Sequence, residues 1–231
     1  MSNFDASWRY ASSPCLAPEI APGYFDPPAV DSKQERDVAR WRKAERARLR
    51  AKCAALSVKC RQAVGASLVG HLRDLLADRF RGARGRVFSA YWPINCEPDL
   101  RGLMVELHAG GITIALPSVE RKAAPLVFRR WAPGTAMVRG HWNIPVPPRD
   151  AEMLTPDIAL APLVGWDNEG YRLGYGGSYF DRMLAALARQ TFTIEIGFQS
   201  GPLSSIYPQS HDVPLDEILI EAGVQSVRQR T

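Results

Sequence analysis

Apolar residues first recur at helical spacing in Val64, Leu68, Leu72, Leu75 and Leu76. Positions three and four apart share one face of a helix, so this pattern predicts a helix capped by Ser57, running to about residue 78, with that face in the core. Upstream, residues 33–56 are dense in Arg, Lys and Ala and carry no comparable stripe. A helix is expected there too, started by Asp31 or Ser32, with Glu35 three positions after Ser32 as in a capping box. The pattern then changes to that of strands. Residues 86–92 read as a strand, 93–98 as a loop that holds Glu97, 100–109 as a helix closed by Gly110 and Gly111, and 112–117 as a short buried strand. Strand, helix, strand in that rhythm argues a βαβ unit and a parallel sheet.

Further strands are expected over 126–131, 157–167, 191–198 and 217–220. Residues 142–148 hold three prolines and are expected to be extended and rigid, because each proline biases its predecessor away from helix. A turn is expected at Asn168-Glu169-Gly170, and a helix from Tyr179 to about residue 190. The first thirty residues are rich in Pro, Ala and Ser, and Pro14, Pro18, Pro22, Pro27 and Pro28 forbid a long helix. The expected organisation is an irregular arm over 1–35 and a single α/β domain over 36–225.

Composition narrows the class. The chain has 231 residues, 46% hydrophobic and 23% charged, which is ordinary for a globular protein with a sizeable core. No run of 18 apolar residues offers a membrane span, and the N-terminus lacks the basic and apolar regions of a secretory signal. Cys15, Cys53, Cys60 and Cys96 form no C-x-x-C pair, so free thiols in a reducing cytoplasm are expected. The net charge of +5 suits an anionic ligand, and much of the excess lies in the first helix. There Arg42, Arg46 and Arg50 repeat every four residues and share a face, where like charges repel and a counter-anion would relieve the strain. A solvated basic surface is the alternative.

The candidate chemistry centres on residues 172–182, Arg-Leu-Gly-Tyr-Gly-Gly-Ser-Tyr-Phe-Asp-Arg. Glycines let a backbone turn tightly and approach a ligand, and a following helix offers free N–H groups to a phosphate. Asp181 stands where it could meet a cation. The loop is neither a Walker A sequence nor a dinucleotide fingerprint.

These residues resemble the signature of the 5-formyltetrahydrofolate cyclo-ligase family, also called 5,10-methenyltetrahydrofolate synthetases. Arg42 and Arg46, Tyr91 with Glu97, residues 142–145, Pro162 with Asp167, and residues 211–216 follow in the family's order, so the resemblance covers about residues 40–222. It implies a three-layer α/β/α fold with a mostly parallel sheet, Rossmann-like and similar to sugar-phosphate isomerase and CoA-transferase folds. It implies an enzyme that uses ATP and Mg2+ to phosphorylate the formyl oxygen of 5-formyltetrahydrofolate. N10 then closes the ring and phosphate leaves, giving 5,10-methenyltetrahydrofolate and ADP. Such phosphoryl transfer needs positioning and charge neutralisation rather than a protein nucleophile.

Carried onto this chain, the resemblance assigns Arg42 and Arg46 to the ATP phosphates, with Lys43 as the neighbour if the register shifts by one. Arg172, Leu173, Gly174, Tyr175, Gly176, Gly177, Ser178, Tyr179 and Phe180 would hold nucleotide, and Arg172 and Tyr179 are the catalytic candidates. Tyr91, Glu97, Trp142, Tyr175 and Tyr179 would meet folate, and Asp181 and Asp212 the metal. Ser178 stands where a third glycine is usual, and Val146-Pro147-Pro148 where an acidic residue often follows. The expected partner is a small molecule, with no nucleic acid or membrane, on a monomer or homodimer. Two other readings remain: a relative that binds nucleotide or folate without turnover, and a basic nucleic-acid module whose affinity would fall steeply with salt.

Overall fold

The computed structural model describes residues 32–122, 124–177, 179–186 and 191–227. The arm expected over 1–35 falls almost wholly outside them, as does Ser178. The chain divides into two units, Met1–Trp41 and Arg42–Thr231. The first helix, α1, spans Ser32–Ala55. Within the first unit its described part carries an exposed Arg40–Asp37 pair at 3.4 Å, one turn apart.

In the second unit, α2 (Val58–Phe80) begins at the predicted cap, where Ser57 accepts from the Cys60 N–H at 3.1 Å. It ends on Arg81, in the left-handed region, whose N–H returns to the Leu76 carbonyl. The chain then builds β1 (Val87–Ser89), α3 (Arg101–Ala109), β2 (Thr113–Ser118) and β3 (Val127–Trp131). Next come β4 (Val138–Arg139), β5 (Pro145–Val146), β6 (Met153–Leu154) and β7 (Ile158–Pro162). Then follow β8 (Gly165–Trp166), β9 (Arg172–Leu173), α4 (Tyr179–Ala186), β10 (Phe192–Ile196), β11 (Glu217–Ile220) and β12 (Gly223–Val227).

The main sheet runs β12-β11-β10-β7-β1-β2-β3-β6. Its centre, β11 to β2, is parallel, and both flanks are antiparallel. Strand alternation sorts the two faces. Ile114 and Leu116 of β2 pack with Leu68, Leu72 and Leu76 of α2 and Leu103 and Met104 of α3. Ala115, between them, meets Phe128 and Met183 of α4 on the other face. The result is the three-layer α/β/α arrangement, with β1-α3-β2 as its parallel crossover unit.

Several expectations need correction. The strand expected over 157–167 is two pieces: β7 leaves the sheet at Leu163, and β8 pairs instead with β9 in a separate hairpin. Gly165 permits that turn inward, since a Cβ there would lie 2.8 Å from the Gly201 carbonyl oxygen. The glycine loop therefore follows a hairpin and not a strand of the main sheet. Residues 142–148 are not uniformly extended: His141–Asn143 form a 3-10 turn, with Trp142 at φ 53° and Asn143 at φ 61°. Among the described residues, no helix is long and apolar enough to cross a membrane.

Candidate active site

Parallel sheets collect ligands at the carboxyl ends of their strands. The cavity here lies at the ends of β1, β2 and β7, where Tyr91, Pro117 and Pro162 line it. The glycine loop, the 3-10 turn at Trp142 and one face of α1 complete the wall. Gly176 and Gly177 sit at φ 103° and 88°, so the tight turn depends on their being glycine.

Helical spacing aims Arg42, Arg46 and Arg50 at one side, but their partners differ. Arg42 is buried and engages all three guanidinium nitrogens within the protein. Nε donates to the Ile206 carbonyl at 3.0 Å, Nη2 to the Tyr207 carbonyl at 2.9 Å and to Asp212 Oδ2 at 2.5 Å, and Nη1 to Asp212 Oδ1 at 3.3 Å. The counter-anion expected for this helix is thus, at Arg42, a carboxylate of the chain itself. Arg46 Nε donates to the Gly174 carbonyl at 2.8 Å, and among the described residues its two terminal nitrogens have no hydrogen-bond partner. Burial lowers its pKa, and neighbouring Arg42 adds to that, as expected for a half-buried cation lacking a full counter-charge. Arg50 lies over the Tyr175 ring at 5.8 Å. Lys43 is exposed and does not reach the cavity.

In the loop, Arg172 is buried and flanked by two carboxylates. Nη2 donates to Asp181 Oδ1 at 2.6 Å and Nη1 to Glu195 Oε1 at 3.0 Å. Burial pushes the Glu195 carboxyl up to about 7 against the pull of Arg172. Leu173 is core, packed with Leu49 and Ile206, and does not line the cavity; neither does Gly177. Gly174, Tyr175, Gly176, Tyr179, Phe180 and Asp181 do. Tyr179 stands edge-on to Trp142, with ring centroids 5.9 Å apart, and its hydroxyl is 3.4 Å from His141 Nε2. His141 is a cavity residue that sequence reasoning passed over, although it adjoins Trp142, which that reading singled out.

At the end of β1 the Tyr91 hydroxyl donates to the Pro98 carbonyl at 3.0 Å, which leaves the ring as a flat surface. Glu97 accepts from the Ile94 N–H at 2.8 Å and from the Tyr175 hydroxyl. Burial raises its carboxyl from 4.5 to about 7, against these hydrogen bonds and the attraction of Arg50. Between those two values the folded chain holds a proton that the unfolded chain releases, so this group's contribution to stability falls as pH rises through that window. Glu97→Gln is therefore expected to raise the melting temperature by roughly 5 °C at about pH 8.5 and to leave it nearly unchanged at about pH 5, read by thermal denaturation. An equal shift at both values would mean that Glu97 is not protonated in the folded protein.

A metal would find one suitable carboxylate. Asp181 Oδ2 accepts no hydrogen bond among the described residues, and the side chain faces the cavity. Asp212 does not fit: Arg42 takes both its oxygens and the Gln209 N–H also binds Oδ2, at 2.7 Å. No cluster of three or more His, Cys, Asp or Glu among the described residues is placed to hold a metal by itself. One carboxylate beside phosphate oxygens is still a usual setting for Mg2+.

A model of the 5-formyltetrahydrofolate cyclo-ligase family matches residues 38–221. The chain is 30% identical over 153 residues to the 5-formyltetrahydrofolate cyclo-ligase of Mycolicibacterium smegmatis, spanning 62% of this chain and 78% of that protein. It is 26% identical over 160 residues to the Haemophilus influenzae 5-formyltetrahydrofolate cyclo-ligase, spanning 67% and 83%. Among solved structures it is similar to the 5,10-methenyltetrahydrofolate synthetase of Mycoplasma pneumoniae, with a TM-score of 0.64 and 23% identity over 78% of this chain and 98% of that one. The Aquifex aeolicus 5,10-methenyltetrahydrofolate synthetase gives 0.65 at 24% identity over 82% and 94%.

Proposed function

The chain belongs to the 5-formyltetrahydrofolate cyclo-ligase family, and from that premise we propose that this cavity holds both folate and the nucleotide phosphates. The enzyme is an ATP-dependent ligase that converts 5-formyltetrahydrofolate to 5,10-methenyltetrahydrofolate. The observation that carries the reading is two unlike groups of lining residues beside the glycine loop. Arg46 brings a half-buried cation with open donors to Gly174. Tyr91 offers an aromatic surface near the protonatable carboxyl of Glu97.

Each residue then has a task. Arg46 and the loop amides neutralise charge on the γ-phosphoryl group as it moves to the formyl oxygen. Tyr91 and Trp142 sandwich the flat parts of folate, and Glu97 meets polar groups on the pterin. Tyr179, standing edge-on to both Trp142 and His141, orients the reacting end and excludes water. Asp181 would hold Mg2+, which when bound supplies charge neutralisation between the phosphates. Arg42 acts at one remove, fixing the 206–212 segment through Asp212. Its engagement there, and that of Arg46 on the loop, gives the basic helix a use that needs no nucleic acid. We assign the reaction to the cytoplasm, in keeping with Cys53 and Cys96, which are free and buried, the former with its thiol pushed up to about 12, chiefly by burial.

The test is to mix the protein with 5-formyltetrahydrofolate, ATP and Mg2+ and follow the methenyl absorbance. Absence of signal alongside proven ATP binding would turn the reading to a binding relative without turnover. In the same assay Arg46→Ala is expected to raise KM for ATP on the order of tenfold or more, with KM for the folate changed much less. Equal effects on both would mean that Arg46 only shapes the loop.

A further inference from the structure

Glu195 is the penultimate residue of β10, fully buried, with Ala161 and Ile218 as its register neighbours on the adjacent strands. Its Oε1 meets Arg172 Nη1, and its Oε2 has no hydrogen-bond partner among the described residues. A buried carboxylate with an orphaned oxygen is costly, and ion pairs of this kind rarely add to stability. Its consequence is electrostatic. Arg172 and Asp181 alone would form a neutral pair, and Asp181 would serve chiefly as the counter-ion of Arg172. With Glu195 behind the guanidinium, the group of three carries one net negative charge when both carboxyls are ionised. Asp181 Oδ2 is its end on the cavity side.

We propose that Glu195 is a positioning residue that acts through Arg172: by balancing the guanidinium from inside the sheet, it leaves Asp181 free to bind a nucleotide-bound divalent cation. This rests on the reading of Asp181 as the cation's carboxylate, so the experiment separates the two. ATP binding is measured by calorimetry in Mg2+ and in EDTA, for the unaltered chain, Glu195→Gln and Asp181→Asn. The assay is held at about pH 8.5, above the value of about 7 to which burial raises Glu195. Glu195→Gln keeps an oxygen for Arg172 Nη1 and removes the charge. It is expected to reduce the affinity gained from Mg2+ by about tenfold and to leave ATP affinity in EDTA within about twofold. In turnover it should raise the Mg2+ concentration for half-maximal rate and spare KM for 5-formyltetrahydrofolate.

If Asp181→Asn loses the Mg2+ gain and Glu195→Gln keeps it, this inference alone falls. If Asp181→Asn keeps the gain, the cation reading falls and takes the inference with it. Equal weakening by Glu195→Gln in EDTA and Mg2+ marks a structural role and overturns the proposal as well. Melting curves accompany each variant. Should Glu195→Gln not fold, Glu195→Met, which fills similar space and also removes the charge, is held to the same selective loss.

Discussion

Asp181→Asn is expected to lower methenyltetrahydrofolate formation on the order of 10²- to 10³-fold, with the fold intact. The substitution keeps the size of the side chain and removes the charge and a strong acceptor. Arg172 is not stranded by it, because Glu195 Oε1 remains 3.0 Å from Nη1. The buried guanidinium keeps a counter-ion, so melting temperature should change by only about 2–4 °C. The rate loss arises where charge develops on the transferring phosphoryl group and the cation that offsets it is no longer held. Two measurements decide the matter: the rate of appearance of methenyl absorbance, and a melting curve of the same preparation. A rate within about twofold of the unaltered enzyme removes Asp181 from the reacting centre, and a collapse in melting temperature assigns it to the fold instead.

The contrast between Arg42 and Arg46 shows where the sequence was legible. The α2 stripe, its Ser57 cap and the β1-α3-β2 unit follow from local periodicity and capping chemistry, which short stretches carry by themselves. The shared face of Arg42, Arg46 and Arg50 was equally local. What separates a cation closed on Asp212 from one with open donors is a partner 170 residues away, which no spacing within α1 can reveal. The break after Pro162 was hidden for a related reason. Leu160 through Trp166 is one apolar run because the sheet strand and the hairpin strand are both buried, and periodicity does not part them. Glu195 had a visible signal: a carboxylate inside Thr-Ile-Glu-Ile, a strand otherwise fit for burial, requires a buried cation. Arg172 was read as a phosphate ligand, so that requirement went unmatched.

Arg42→Met is expected to destabilise the domain by about 3 kcal/mol or more, since removing one member of a buried pair leaves the other charge without compensation. The Asp212 side chain is 7% exposed and that of Arg42 10%, so solvent can do little to screen the loss. The Ile206 carbonyl also loses the Arg42 donor, while the Tyr207 carbonyl loses one bond and still accepts from Gln209 Nε2 at 2.9 Å. Burial by itself would raise the Asp212 carboxyl; the Arg42 hydrogen bonds, helped by the Gln209 N–H, more than offset this and hold it below its ordinary value. A depressed carboxyl stabilises the fold above its unfolded pKa, and the benefit disappears as pH falls through the folded value. The unaltered protein should therefore lose this part of its stability below about pH 4, while Arg42→Met, which never had it, should show a flatter acid limb. Denaturant unfolding of Arg42→Met, Asp212→Leu and the double variant completes the cycle. The double variant should recover part of the loss, because replacing both partners with apolar groups removes the uncompensated charge. Additive losses would place the role of Arg42 in its two carbonyl bonds, and an unchanged acid limb would deny the pairing itself. Because Arg42 and Asp212 both face the cavity, turnover measured at a temperature where the variant remains folded tells whether this ion pair only builds the wall or also sets where Arg46 and the glycine loop meet the phosphates.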